Sequence, residues 1–496
     1  MTGVSLSGAR QAPRLLISAA HKSSGKTTVS VGLCAAFRQR GLAVQPFKKG
    51  PDYIDPMWLS LACGRACRNL DPFLTEMDEI RAMFGRASLG ADLSLVEGNK
   101  GLYDGLALDG SNSNAALAHM LSLPVVLVID ARGMTRGIAP LILGYQAFDR
   151  NLNIAGVILN NLGGARHEAK LRAVIEHYTE VPVLGAVHHD PRLSIVERHL
   201  GLMPSNESGA AASTIAQIGA LIGAEVDLGR LLEIAGAAPA LAPIESVGVA
   251  CRLGTARRVK IAIARDRAFG FYYADDLDAF EDAGAELVPF DTLHDSHLPV
   301  ADGLFIGGGF PELFMQELEA NATLRGEIRN AIEGGMPAYA ECGGLMYLAK
   351  SLSWEGRRCK MVGAIGGEVV MHERPVGRGY VELQETANNP WPHSVANPGA
   401  DPGANAGAVL RGHEFHYSAL EHLGGDADFA YRVVRGHGTD GTHDGIVYRN
   451  LLASYCHLRS TRACNWVARF VGFVRGHAES SAMRAATADR ERVSAP

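Results

Sequence analysis

The chain has 496 residues, 47% hydrophobic and 20% charged, with a formal net charge of −6 at pH 7. That length holds two or three domains. The charge balance excludes a broad basic surface for nucleic acid or an anionic membrane, though local positive charge can still hold anionic small molecules.

Short apolar, β-rich runs alternate with longer helical patterns, which predicts an α/β chain with a parallel sheet covered by helices. The first strands are expected at Leu15–Ala19, Leu42–Phe47, Leu93–Glu97, Val125–Asp130, Ile154–Leu159 and Val183–Val187. Residues 1–13 are polar and lack the apolar centre of a signal peptide. After the first strand comes Ala20-His21-Lys22-Ser23-Ser24-Gly25-Lys26-Thr27-Thr28, then an amphipathic helix. This is the context of a P-loop, in which backbone N–H groups and a helix N-terminus surround phosphate oxygens. The expected nucleotide contacts are Ser24, Gly25, Lys26, Thr27 and Thr28, joined by Lys48. Lys26 supplies a point charge and Thr27 a hydroxyl for Mg²⁺, while Ala20 stands where the first P-loop glycine belongs.

Two charged clusters, Lys48–Pro56 and Glu97–Gly105, follow strand ends, where open α/β sheets bind ligands. Alone, each carboxylate reads as a solvated loop residue or a helix cap. Beside a P-loop, Asp52 and Glu97 are expected to complete a Mg²⁺ shell with Thr27.

Periodicity fades from Gly236, where Pro239 and Pro243 mark a linker. The pattern restarts with strands at Val259–Ala264, Glu286–Pro289, Gly303–Ile306 and Ala338–Ala340 and a helix at Tyr273–Ala283. Asn388–Ala408 reads as a surface loop, and the polar stretch after about Glu479 as a disordered tail. No stretch is long and apolar enough for a transmembrane helix.

The eight cysteines form no Cys-x-x-Cys pair, and Cys63-x-x-x-Cys67 has no second pair for zinc, so they read as reduced cytoplasmic thiols. Cys342 differs. It sits between a short strand and Gly343-Gly344 at the start of a helix, a nucleophile elbow whose helix N-terminus favours a thiolate. The best partner is His457, at the end of an apolar strand, and Gly308 and Gly309 could join the Gly343 amide as oxyanion donors. His413 and His416 resemble metal ligands but fall on opposite faces of an extended strand, which argues against a shared ion.

Lys49–Pro56, Asn69-Leu70-Asp71-Pro72, Gly101–Gly105, Arg198–Leu202, Gly307–Glu312, Glu341–Gly344 and Gly412–Ser418 follow one another in order behind Gly-Lys-Thr-Thr. In this the chain resembles the cobyrinate a,c-diamide synthase family over residues 14–470. The resemblance implies a dethiobiotin-synthetase-like P-loop domain (14–235), a linker (236–256), a class I glutamine amidotransferase-like domain (257–475) and a tail (479–496). It further implies ATP, L-glutamine and a tetrapyrrole carboxylate as substrates, Mg²⁺ as cofactor, and no nucleic acid or membrane partner; a homodimer is compatible with it. By motif, Asp55 joins Asp52 and Glu97 in metal binding and carboxylate activation, Cys342 forms a glutamyl thioester and His457 activates it. Asp-Tyr-Ile-Asp favours a,c-diamidation over the later amidations of cobyric acid synthases. Asn99-Lys100 and the loop before Gly25 depart from the family pattern and keep open a similar branch, the sirohaem-amidating enzymes linked to dissimilatory sulfite reductase. No acid stands at the third triad position of other class I amidotransferases, which predicts a Cys–His dyad. From other classes, a partitioning-type P-loop switch would leave Cys342 without use, and a bare glutaminase would leave Asp52, Asp55 and Glu97 idle.

Overall fold

The computed structural model describes residues 13–193, 195, 197–198, 201–241, 257–392, 408–425 and 427–494. The chain divides into two compact units, Met1–Gly248 and Val249–Pro496. The division falls inside the segment read as a linker, of which 242–256 lie outside the described residues, as do His199, Leu200 and most of the 388–408 loop.

The first unit is built on β1 (Arg14–Ala19), β2 (Val44–Lys49), β3 (Arg68–Leu70), β4 (Leu93–Glu97), β5 (Val125–Asp130), β6 (Ile154–Leu162) and β7 (Val183–His188). They form one sheet in the order β3-β2-β4-β1-β5-β6-β7, with every pairing parallel. Its strands read as unbroken apolar runs because both faces are covered. Leu15 and Ile17 enter one core cluster with Leu93, Leu95, Val126 and Val128. The intervening Leu16 enters the other, with Val96, Val125 and Leu127.

Helix α1 (Lys26–Gln39) follows β1, and α2 (Ile54–Cys63) follows β2. The expected amphipathic helix after β1 is in fact buried on all sides from Val29 to Phe37. It lies between the sheet and the helix Ala211–Glu225, so it has no solvent face to mark with polar residues. Small residues set that approach. A Cβ at Gly32 would stand 2.4 Å from Ile222 Cγ1, and one at Gly219 would stand 2.7 Å from the Ala35 Cβ.

In the second unit, one ten-stranded sheet changes character halfway across. Strands Ala285–Phe290, Val259–Ala264, Gly303–Ile306, Ala338–Glu341 and Leu451–Ser454 are mutually parallel. Beyond Leu451–Ser454 the order continues antiparallel through His443–Tyr448, Asp428–Arg435, Gly377–Glu385, Val409–His416 and His457-Leu458. The last strand begins only three residues after Ser454, so the antiparallel half curls back on itself and returns His457 to the end of the parallel half. Trp466, Val467, Phe470, Val471 and Val474 of the final helix, Trp466–Ser494, close the core on one side of this sheet. That helix continues to Ser494, where the sequence suggested a disordered tail.

Gly32→Val is expected to force α1 away from Ala211–Glu225 and cost ~1–3 kcal/mol. The readout is a lower denaturant midpoint for the unfolding of the first unit, and an unchanged midpoint would contradict the packing described.

Candidate active sites

In the first unit, Gly25 caps α1 with φ 80°, a left-handed conformation suited to glycine. Glycine is needed for space as well: a Cβ there would stand 2.1 Å from Asn160 Nδ2, which donates to the Ser24 carbonyl at 2.9 Å. The Ser24 hydroxyl donates to the His21 carbonyl at 2.8 Å, so the loop is tied at both ends. Ala20 is absent from the residues with positive φ, which explains why alanine serves where a glycine was expected.

Strand register brings the charged groups together. Lys48 on β2 is the register partner of Glu97 on β4. Its Nζ donates to Glu97 Oε1 at 2.9 Å and to Asp55 Oδ2 at 2.5 Å. The Thr27 hydroxyl donates to Glu97 Oε1 at 2.6 Å and approaches Asp55 Oδ2 at 3.2 Å. The second carboxylate at Thr27 is thus Asp55, where the sequence suggested Asp52. Asp52 instead uses Oδ1 to accept the Ile54 and Asp55 N–H groups at 2.9 and 3.1 Å, capping α2. Glu97 Oε2 is buried without a hydrogen-bond partner. A lone carboxylate oxygen beside a hydroxyl and a second carboxylate is a donor set that suits Mg²⁺.

In the second unit, the strand Ala338–Glu341 ends at Cys342, whose φ of 48° and ψ of −103° make the sharp turn into the helix Gly343–Leu348. The glycines permit close backbone approach. A Cβ at Gly344 would stand 2.2 Å from the Ile306 carbonyl oxygen, and one at Gly309 would stand 1.9 Å from that of Ala268. A Cβ at Gly343 would lie 3.0 Å from the Gly309 nitrogen, so the expected oxyanion donors are neighbours. Gly308 clears room for His457, since a Cβ there would meet His457 Cε1 at 2.6 Å. His457 hydrogen-bonds Cys342, and its Nδ1 lies 3.2 Å from Glu341 Oε2. His413, its register partner, stacks on it with centroids 4.9 Å apart. His416 stacks instead on Tyr455, and the described residues hold no group of three or more His, Cys, Asp or Glu able to bind a metal.

Two family models match the chain: the CobQ/CobB/MinD/ParA nucleotide binding domain over residues 16–202, and the CobB/CobQ-like glutamine amidotransferase domain over residues 260–463. The cobyrinate a,c-diamide synthase of Magnetococcus marinus is 46% identical over 464 residues, covering 92% of this chain and 97% of that protein. The enzyme of the same name from Methanosarcina acetivorans is 43% identical over 471 residues, covering 90% and 92%. The chain belongs to the cobyrinate a,c-diamide synthase family. Its P-loop domain with a parallel sheet and its glutamine amidotransferase domain are those of the family. No helix among the described residues is long and apolar enough to cross a membrane.

Burial strains the charges in both family sites. For Lys48, desolvation disfavours the ammonium, but Asp55 and Glu97 outweigh it and hold the amine above its ordinary range. Lys26 is lowered by desolvation and then by the Lys48 charge. Asp52 is pushed up to about 7 by desolvation and by neighbouring Asp55. Buried Lys49, whose Nζ donates to the Asn112 carbonyl at 2.5 Å, falls to about 8, chiefly through desolvation. In the second unit, desolvation opposes the His457 imidazolium, yet hydrogen bonds to Cys342 and Glu341 carry it up to about 10. His413 is held well below the usual histidine range by desolvation and by the His457 charge.

Sequence reasoning missed the residues that hold these sites in shape. Asn69 Nδ2 donates to the Gly50 and Asp52 carbonyls at 2.9 and 2.8 Å. Asn114 ties residues 99 and 101, accepting from Asn99 N–H at 3.1 Å and donating to the Asn99 and Gly101 carbonyls at 2.5 and 2.8 Å. Asp444 accepts from the Ser454 hydroxyl at 2.6 Å and from Tyr455 and Cys456 N–H at 3.0 Å each, fixing the turn that leads to His457. Asp276 accepts Ser460 N–H at 2.8 Å and Trp466 Nε1–H at 3.2 Å, anchoring the segment beyond His457.

Burial pushes Asp276 up to about 8, against partial relief from Ser460 N–H and Arg459. A carboxyl raised in the folded state favours folding fully at low pH and loses that contribution as pH rises through its folded value. The second unit should therefore lose stability from Asp276 between about pH 4 and 8. In Asp276→Asn, neutral throughout, that part of the slope should vanish. The stability of the variant relative to the parent should rise across this window in thermal unfolding, and a constant difference would refute the assignment.

Proposed function

We propose that the chain is an ATP- and glutamine-dependent ligase that amidates the a and c acetate carboxylates of a cobyrinate-type tetrapyrrole. The observation that carries this reading is one polypeptide with two charged centres: Thr27, Lys48, Asp55 and Glu97 beside a phosphate loop, and Cys342 with His457 at a glycine elbow. The relatives named cobyrinate a,c-diamide synthase match over nearly their whole length, which supports the substrate class. A partitioning-type switch would have no use for Cys342 and His457.

A carboxylate is a poor electrophile, and transfer of the ATP γ-phosphoryl group to it gives a carbonyl with a leaving group. In the first unit the loop N–H groups and Lys26 bind the phosphates. Thr27, Glu97 and Asp55 are the residues that would hold Mg²⁺, which supplies charge neutralisation when bound. Lys48 bridges Asp55 and Glu97 and sets their spacing. In the second unit the Cys342 sulfur attacks the glutamine side-chain carbonyl, and the Gly309 and Gly343 amides face the developing oxyanion. The imidazolium of His457 protonates the departing nitrogen, and ammonia leaves a glutamyl thioester that water then hydrolyses. The ammonia displaces phosphate from the acyl phosphate to give the amide.

Cys342→Ser should abolish glutamine-supported amidation while high ammonium still supports it. Glu97→Gln should lower amidation with either donor by ~10²-fold or more. Product mass after offering cobyrinic acid or sirohaem with ATP and glutamine reads both activity and substrate. Two added amide nitrogens on cobyrinic acid are expected. Failure of ammonium to rescue a folded, nucleotide-binding Cys342→Ser enzyme would sink the two-centre mechanism, and amidation of sirohaem alone would move the substrate to the sulfite-reductase branch.

A further inference from the structure

We propose that Glu341, the residue immediately before the nucleophile, is the positioning acid of the Cys342–His457 pair, so that the centre is a triad whose acid and nucleophile are consecutive. This rests on the amidotransferase reading above and adds the group that aims its base.

The geometry of Glu341 leaves little freedom. It is buried at the end of the strand Ala338–Glu341. One carboxylate oxygen accepts the Tyr339 hydroxyl at 2.8 Å and the Leu458 N–H at 3.0 Å. The other oxygen stands 3.2 Å from His457 Nδ1. The carboxylate thus grips the imidazole ring and the peptide directly after it, fixing ring and backbone together. Tyr339 cannot swing away, because its ring stacks on Phe305 at 5.6 Å and packs against Trp466 at 4.7 Å. With Nδ1 engaged by the acid, the other ring nitrogen is left for the thiol, the division of roles that a base needs.

Among the described residues, three other buried carboxylates of the unit are engaged elsewhere. Asp444 is engaged by Thr439, Ser454 and two N–H groups, Glu414 by the His437 and Gly438 N–H groups, and Asp276 by Ser460 and Trp466. Cys342, Glu341 and His413 each meet the His457 ring. His413, with Tyr273 OH 3.3 Å from its Nδ1, is kept neutral by burial, so it offers a flat wall and no counter-charge. Glu341 is the carboxylate within hydrogen-bond distance of the His457 ring.

The test uses full-length Glu341→Gln, in which an amide keeps the shape and can still accept from Tyr339 and Leu458 but turns an N–H₂ toward Nδ1. Glutaminase turnover is measured across pH beside ammonium-supported amidation. A fall in glutaminase kcat of about 10²–10⁴-fold is expected, with the KM for glutamine and the ammonium-supported rate little changed. The alkaline limb of the kcat/KM profile should move to lower pH, because the imidazolium loses its counter-charge. Glu341→Asp should recover part of the rate. A parental kcat, an alkaline limb that stays in place, or loss of ammonium-supported amidation along with glutaminase would each overturn the role. If Cys342→Ser retains glutamine-supported turnover, the underlying amidotransferase reading fails instead, so the two failures are distinguishable.

Discussion

Lys48 is a fully buried ammonium, and β2 can carry it only because sheet register sets Glu97 directly opposite and α2 delivers Asp55. Breaking such a pair by removing one partner costs ~3–5 kcal/mol, since the remaining charge is stranded away from water. The arrangement therefore fixes more than two side chains. It sets how far β2 slides against β4, where α2 begins, and which oxygens surround the Thr27 hydroxyl. Asp52 completes the constraint by capping α2 with one carboxylate oxygen, which holds Asp55 at the angle Lys48 requires. The charged floor of the phosphate site and the register of the sheet are one structural decision.

The parts of this architecture legible in the sequence are those with local causes. β1 shows as an unbroken apolar run because both its faces are covered, and the loop behind it shows through Gly25 and Lys26. Cys342 was readable from the glycines after it, which must be small for the elbow to press on the Ile306 carbonyl. The antiparallel half of the second sheet was largely invisible. In Gly377–Glu385, for example, charged residues mask a pattern in which only alternate positions are buried, and the partners of that strand lie tens of residues away. β3 was missed because three residues carry no periodicity.

Asp55 and Glu341 show the same limit at the level of chemistry. From spacing, Asp52 and Asp55 are equivalent, one turn apart; the helix start distinguishes them by using one as its cap. Glu341 stands next to Cys342 in the sequence, but nothing local marks it as the acid that meets the histidine. The curl of the antiparallel strands, which no local pattern encodes, is what carries His457 back over Glu341.

The two centres solve the burial of charge in opposite ways. In the second unit, Glu341, His457 and Cys342 satisfy one another within the fold, and Tyr339 and Leu458 N–H take the remaining acceptor capacity. Such a centre is preorganised, and under the proposed function it would need only a neutral amide substrate. In the first unit the groups do not close on themselves: Glu97 Oε2 has no partner, Asp52 is pushed up to about 7, and Lys49, whose Nζ donates to the Asn112 carbonyl, falls to about 8 by desolvation against partial relief from Asp71. Buried polar groups left in this state cost stability unless something binds to them. In the proposed reaction a triphosphate, a divalent cation and a substrate carboxylate would supply the missing opposite charges, and part of their binding energy would offset strain already present in the protein. That difference matches the proposed chemistry, in which glutamine would bring no net charge to its site and the phosphoryl-transfer reactants would bring a great deal.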